Sequence, residues 1–195
     1  QIYIHHLQTM PNRISYNSCS TFQFEPLLDE RFYTERDQEK EIFKQEFLKW
    51  QNGYNSIIAL IGELGSGKTT LLNFLSKNMF RSHEIIKINV DEKIINEENL
   101  TNIISKAFKL NKIEQIEQFE QKIVANEKSA VCIFENLHNL FIRTVTGFDV
   151  LERFLRLVLA TQHKIFWIIT CDLYSWQYLD KVLRIEKYFQ KIIQL

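Results

Sequence analysis

Eight consecutive residues, Gly62 to Thr69, have the types and spacing needed to bind a nucleotide. They fit the pattern G-x-x-x-x-G-K-[ST] at every fixed position. The glycines let backbone N–H groups turn around phosphate oxygens, the lysine reaches the β- and γ-phosphates, and the threonine hydroxyl ligates Mg²⁺. An apolar run at 56–61 precedes the loop and helically spaced apolar residues follow it, the strand–loop–helix context that phosphate binding requires. We predict that ATP and Mg²⁺ are held by Gly62, Glu63, Leu64, Gly65, Ser66, Gly67, Lys68, Thr69 and Thr70.

A second motif, at residues 130–135, supplies the acid that a P-loop needs. The run Ala-Val-Cys-Ile-Phe is apolar and ends in Glu135, and an apolar strand with a terminal acid is the Walker-B form. The alternative is a core strand with an ordinary polar end. We predict that Thr69 and Glu135 are the metal ligands, both for Mg²⁺.

Composition favours a globular chain with one sizeable core. The sequence has 195 residues, of which 45% are hydrophobic and 25% charged. Three of its five glycines lie in the loop at 62–69, where the backbone must bend around a ligand. The 24 basic and 24 acidic residues balance, so the net charge gives no strong indication of a nucleic-acid-binding surface.

The three cysteines, Cys19, Cys132 and Cys171, are odd in number and lack the spacing of a disulfide framework. This favours a reducing compartment, and we predict a cytoplasmic location. No secretory signal opens the sequence, and no apolar stretch is long enough for a membrane segment. Because the sequence opens with Gln1, we expect it to be part of a longer protein.

The pattern of apolar residues predicts alternating strands and helices. A helix is expected from Thr34 to about Asn52, and residues 1–30 are predicted to form an N-terminal arm ahead of a core domain at 31–195. Alternation of this kind implies a parallel sheet covered by helices on both faces, an α/β fold. The predicted strands are 57–61, 85–90, 130–135, 164–170 and 188–194, and the helices that follow the first are 68–80, 97–109, 112–127, 148–161 and 173–181.

Residues 130–140, Ala-Val-Cys-Ile-Phe-Glu-Asn-Leu-His-Asn-Leu, resemble the Walker-B region of AAA+ ATPases. The similarity is greatest to the branch that holds origin-recognition proteins and transposition regulators, and STAND-type ATPases are related. The resemblance covers residues 31–195. It implies a P-loop NTPase three-layer sandwich, a parallel five-stranded sheet in the order 5-1-4-3-2, and a helical lid that would follow residue 195.

The sequence departs from this family at the acid pair. The family has Asp then Glu, and this chain has Glu135 then Asn136. The resemblance places the general base at Asn136, but an amide can orient a water without taking its proton. It therefore implies ATP binding more firmly than hydrolysis. If the motif is offset by one residue, Glu135 itself is the base; Glu63 is a distant candidate for either role.

The resemblance implies three further site residues. Thr170, at the end of a predicted strand, would contact the γ-phosphate or the attacking water. The alternative is that Thr170 caps the next helix, a role for which Asp172 is better suited. Arg184 would act on a neighbouring subunit's nucleotide, unless it is an ordinary surface arginine. Phe32 or Tyr33 would stack on adenine, unless packed in the core.

We also weighed metal and thiol chemistry. The pair His5-His6 and the single His138 have no partner at metal-ligand spacing, and Cys132 has no recognisable base nearby in the sequence.

Three functions remain for the chain. The first is a Mg·ATP-dependent switch or motor core that hydrolyses ATP slowly or only with a partner. Its partners would be ATP, ADP and a second copy of itself or another protein. The others are a non-hydrolysing scaffold and a small-molecule kinase, for which Asp91 is the one hint.

Overall fold

The computed structural model describes residues 36–110, 116–125, 129–144 and 147–195. The predicted arm at 1–30 lies outside these residues, as do Phe32 and Tyr33. Strands and helices alternate after a first helix. The elements are α1 (Asp37–Gln51), β1 (Ile57–Gly62), α2 (Lys68–Asn78), β2 (Glu84–Asn89), α3 (Glu97–Ala107), α4 (Ile116–Ala125), β3 (Ala130–Glu135), α5 (Asp149–Thr161), β4 (Ile165–Asp172), α6 (Leu173–Leu183) and β5 (Lys191–Gln194).

The five strands form one parallel sheet in the order β2-β3-β4-β1-β5. Read from the other edge this is 5-1-4-3-2, so the predicted fold class and strand order are confirmed. Two register pairs bring the site together. Gly62 at the end of β1 pairs with Asp172 at the end of β4, and Asn89 at the end of β2 pairs with Glu135 at the end of β3. Every strand therefore delivers its carboxyl end to one edge of the sheet.

Hydrophobic side chains pack on both faces of the sheet. The strands β1 and β4 and most of β3 are buried on both faces, as expected for central strands of a parallel sheet. Alternate residues of one strand join different clusters: Val131 and Ile133 pack with α1 and α2, whereas Cys132 and Phe134 pack with α3, α4, α5 and α6. The same alternation decides which polar side chains reach which side of the sheet edge.

Most elements differ from their predicted bounds by one or two residues, and the starts of the first helix and the last strand need comment. The described part of α1 begins at Asp37 with Arg36 as its N-cap residue, which makes no side-chain cap bond; Thr34 lies outside the described residues. The last strand begins at Lys191 rather than at residue 188, because a 3₁₀ turn at Ile185–Tyr188 precedes it. Within the described ranges no helix is long and apolar enough to cross a membrane.

Candidate functional site

The loop between β1 and α2 has the backbone that phosphate binding requires. Gly65 (φ +80°) and Gly67 (φ +89°) adopt left-handed conformations that side chains disfavour. Gly62 is restricted for a different reason: a Cβ there would lie 2.6 Å from Ser66 Oγ and 3.0 Å from the Leu195 carbonyl oxygen. Since Gly67 immediately precedes α2, the loop ends where that helix presents its free N–H groups and partial positive charge.

The Lys68 side chain folds back over this loop. Its Nζ donates hydrogen bonds of 2.8 Å to the carbonyl oxygens of Gly62 and Glu63. Partial burial lowers the pKa of Lys68, and the negative charge of Asp172 opposes that shift. The ammonium group is thus held at the centre of the loop by neutral carbonyl groups, which a phosphate would outcompete as partners for a charge.

Thr69 and Glu135, separated by 66 residues, are brought into direct contact. Thr69 Oγ1 donates a 2.7 Å hydrogen bond to Glu135 Oε2. The contact follows from the fold, because odd-numbered residues of β3 face α2 and Thr69 lies in the first turn of α2. A hydroxyl and a carboxylate oxygen side by side are donors that fit Mg²⁺.

Asn136 and Thr170 also meet at this edge. Asn136 has a left-handed backbone (φ 69°); its N–H donates to Thr170 Oγ1 (3.1 Å) and its Nδ2 donates to Asn89 Oδ1 (2.9 Å). Thr170 does not cap α6, since both carboxylate oxygens of Asp172 accept the bonds from the first N–H groups of that helix. The Thr170 side chain is buried, and its hydroxyl keeps a donor hydrogen and a second lone pair beside the bond from Asn136.

The structure does not bring Arg184 to this edge of its own chain. Arg184 is exposed at the C-terminal end of α6 with a left-handed backbone (φ 50°). Asp172, near the loop, caps the opposite end of this helix of 11 residues, which is about 16 Å long. Its predicted role on a neighbouring subunit remains a prediction.

Two contacts at the loop were missed by sequence reasoning. Arg36 donates from a guanidinium nitrogen to the Ser66 carbonyl oxygen (2.7 Å), which ties the start of α1 to the loop. The Tyr174 hydroxyl donates to Glu63 Oε1 (3.1 Å), so this carboxylate is held on the outer side of the loop by α6. Neither has a sequence signal, because the partners are 30 and 111 residues apart and belong to no shared motif.

Comparison with known proteins supports a P-loop nucleotide-binding domain, as the geometry of the loop indicates. A family model described as ABC transporter matches residues 47–166, which are 120 of the 195 residues. The matched range contains both the loop at 62–69 and the strand that ends in Glu135. The chain belongs to this family of P-loop NTPases. No curated protein sequence matches the chain.

Solved structures of the P-loop ATPase fold resemble this one. The ORC2 protein of Aeropyrum pernix, in ADPNP-ADP complexes, is 13% identical with a TM-score of 0.58, over 82% of this chain and 47% of that one. Cdc6p of Pyrobaculum aerophilum is 15% identical with a TM-score of 0.59, over 88% of this chain and 48% of that one. A chain of Drosophila ORC bound to DNA is 17% identical with a TM-score of 0.55, over 82% of this chain and 91% of that one.

These likenesses confirm the predicted P-loop NTPase fold. At such identities they show the fold alone. This P-loop NTPase chain spans about half the length of the ORC2 and Cdc6p chains, 47% and 48%.

Proposed function

We propose that this chain is a Mg·ATP-binding switch or motor core whose own hydrolysis is slow or depends on a partner. One observation carries the proposal: Lys68 lies folded over the glycine-rich loop while Thr69 and Glu135 lie side by side, 2.7 Å apart. This combination offers a cation for phosphate oxygens and two adjacent oxygen ligands for a metal.

Each part of the ligand has candidate partners in this arrangement. The backbone N–H groups of the loop and Lys68 would bind the phosphates, and Thr69 with Glu135 would hold Mg²⁺. A bound Mg²⁺ would neutralise negative charge on the phosphate oxygens. Thr170 would respond to the γ-phosphate, and its bond to the Asn136 N–H would pass a change on to the loop after β3.

Slow turnover is inferred from the groups that are present after β3. Glu135 is engaged with Thr69, and Asn136 has an amide that cannot accept a proton from water. The Asn136 amide nitrogen also points toward Asn89 on β2. Loss of a general base costs about 10²- to 10⁴-fold in rate, so we expect intrinsic hydrolysis to be weak.

A non-hydrolysing scaffold is the rival function, and turnover distinguishes the two. ATP binding and steady-state hydrolysis are measured on the wild type, on Lys68→Ala and on Lys181→Ala as a matched control, since Lys181 is exposed on α6 away from the loop. We expect ATP binding to be lost only in Lys68→Ala, because only that variant removes the cation over the loop. Hydrolysis no greater than that of Lys68→Ala, even with partners present, would support the scaffold instead.

The missing-base argument is tested by Asn136→Glu, with Asn136→Asp as the conservative companion. We expect the carboxylate variants to raise the turnover of bound ATP by about tenfold or more, because a base becomes available. Asparagine and aspartate tolerate a left-handed backbone better than glutamate, so Asn136→Asp controls for strain at this position. Unchanged turnover in variants that still bind ATP would disprove the argument.

Partner dependence follows from the position of Arg184. An arginine against the γ-phosphate accelerates phosphoryl transfer by about 10³-fold or more, and Arg184 is exposed rather than placed at its own chain's loop. Mixing Arg184→Ala chains, which keep the nucleotide site, with Lys68→Ala chains, which keep Arg184, separates action in trans from action in cis. Equal activity of mixed and unmixed samples would argue against a shared site.

A further inference from the structure

Three side chains with metal-binding atoms meet where the chain leaves β3 and β4. A ring nitrogen of His138, the sulfur of Cys171 and a carboxylate oxygen of Asp172 all lie within 4.8 Å of one another. His138 belongs to the 3₁₀ turn at Leu137–Leu140 that follows β3, and the other two residues end β4. The parallel pairing of β3 with β4 brings these elements together.

Two of the three groups have unused binding capacity. Cys171 is 1% exposed and is a free thiol. The Nδ1 atom of His138 is buried and has no hydrogen-bond partner within the described residues. A buried ring nitrogen without a partner is costly, and nothing in the nucleotide site uses it. Asp172 accepts two N–H bonds from α6, which hold its carboxylate in one orientation and leave lone pairs free.

We propose that His138, Cys171 and Asp172 form a binding site for a Zn²⁺ ion. The donor set of one nitrogen, one sulfur and one oxygen suits Zn²⁺, whereas Mg²⁺ prefers oxygen alone. Zinc bonds are about 2.0–2.3 Å long, so two ligand atoms of a tetrahedral zinc ion lie about 3.3–3.8 Å apart. Since the three atoms lie within 4.8 Å of one another, side-chain rotations that bring them about 1 Å closer would complete the site. A fourth position would remain open for water, as in three-ligand zinc sites.

This zinc site is distinct from the predicted magnesium ligands. Cys171 packs in the cluster on the α5 and α6 side of the sheet, together with Cys132 and Phe134. Glu135, in contrast, faces α2 and contacts Thr69. Alternation along the strands thus places the sulfur and the Walker-B carboxylate on opposite sides of the sheet edge. Asp172, the next residue along β4, pairs with Gly62 of the loop, so the two sites are neighbours that share no ligand.

Charge balance also favours a divalent ion here. A thiolate and a carboxylate together neutralise Zn²⁺. On binding, the ion would displace the proton of the Cys171 thiol.

Cobalt(II) is the probe that tests the site, since a Co²⁺–thiolate bond produces a near-ultraviolet charge-transfer band. The full chain is titrated with CoCl₂ in excess Mg²⁺ and then with ZnCl₂. We expect the band to saturate at one equivalent, to be displaced by Zn²⁺, and to be lost in Cys171→Ser. His138→Gln and Asp172→Asn should weaken Co²⁺ binding at least about tenfold, and Asn can still cap α6.

Matched controls keep the proposal falsifiable. Cys132→Ser removes the neighbouring buried thiol, Cys19→Ser removes the third cysteine, and a His5→Ala/His6→Ala pair removes two adjacent imidazoles; all should retain the band. If circular dichroism shows that Cys171→Ser does not fold, Co²⁺ binding by His138→Gln and Asp172→Asn tests the site instead. A wild type without the band, loss of the band in the control variants, or full binding by folded His138→Gln and Asp172→Asn would overturn the site. Lys68→Ala removes a positive charge that acts on all three groups, so it should keep the Co²⁺ band at equal or higher affinity, and failure of ATP binding would leave this result unaffected.

Discussion

At the residue scale, Glu135 and Asn136 are adjacent in sequence and have different environments. Glu135 ends β3 and accepts a bond from Thr69. Asn136 takes a left-handed backbone, which turns its side chain toward Asn89 on the neighbouring strand. Asparagine tolerates this conformation because its short polar side chain forms local hydrogen bonds. The residue that follows the Walker-B strand is therefore suited to making a turn as well as to orienting a water.

We predict that Glu135→Gln removes the magnesium dependence of ATP binding. The amide oxygen of glutamine could still accept the bond from Thr69, but it lacks the charge that attracts a divalent cation. In the wild type we expect Mg²⁺ to tighten ATP binding at least about tenfold, equivalent to 1.4 kcal/mol. Titration calorimetry with MgCl₂ and with a chelator measures the difference.

Glu117→Gln is the control for this experiment, because Glu117 is exposed on α4. It should show the same magnesium dependence as the wild type. If Glu135→Gln keeps the full dependence, Glu135 is not a metal ligand and the acid must come from another residue.

At the element scale, α1 is joined to the sheet by a buried polar contact. Glu46 of α1 is 7% exposed and its Oε2 accepts a 2.9 Å bond from the hydroxyl of Ser56, the residue before β1. Its Oε1 accepts a 2.6 Å bond from Lys49. Because Arg36 links the other end of α1 to the loop at Ser66, the helix connects the base of β1 with the nucleotide site.

We predict that Ser56→Ala lowers the free energy of unfolding by about 1–3 kcal/mol. The substitution removes a donor from a buried carboxylate, and that group then carries the desolvation cost of an unmade bond. Urea denaturation measures the change as a lower midpoint at an unchanged slope. Ser82→Ala is the matched control, since Ser82 is exposed, and it should change stability by less than about 0.5 kcal/mol. Equal effects in the two variants would show that the contact with Glu46 does not stabilise α1.

At the scale of the whole molecule, two hydrophobic clusters share the central strands. One cluster includes Phe43, Leu71 and Phe166, and the other includes Phe134, Phe154 and Trp167. Since β1, β3 and β4 contribute to both, we expect the described core to unfold cooperatively. A ligand held at the common edge of the sheet would then stabilise the whole core.

We predict that saturating Mg·ATP raises the melting temperature. A ligand at a hundred times its dissociation constant adds about 2.7 kcal/mol to the stability of the folded state. For a chain of this size that corresponds to about 5–10 °C. Differential scanning fluorimetry should show the increase in wild type and Lys181→Ala and not in Lys68→Ala. The same increase in Lys68→Ala would mean that ATP acts elsewhere on the chain.

The sequence by itself determined much of the fold and the central part of the site. Its apolar periodicity located every described strand and helix to within a few residues, because those signals are local. The loop at 62–69 was recognisable because all of its phosphate-binding groups are consecutive. The strand order was predicted from the resemblance of residues 130–140 to AAA+ ATPases, and not from periodicity.

Only the tertiary structure decided which distant residues meet. The bond from Arg36 to Ser66 and the cluster of His138, Cys171 and Asp172 depend on strand order and register. The metal-binding atoms of His138 and Cys171 are separated by 33 residues of chain, so no spacing pattern associates them. A local sequence specifies its own helix or strand, whereas the side chains that face one another across a sheet edge are set by how the strands pair.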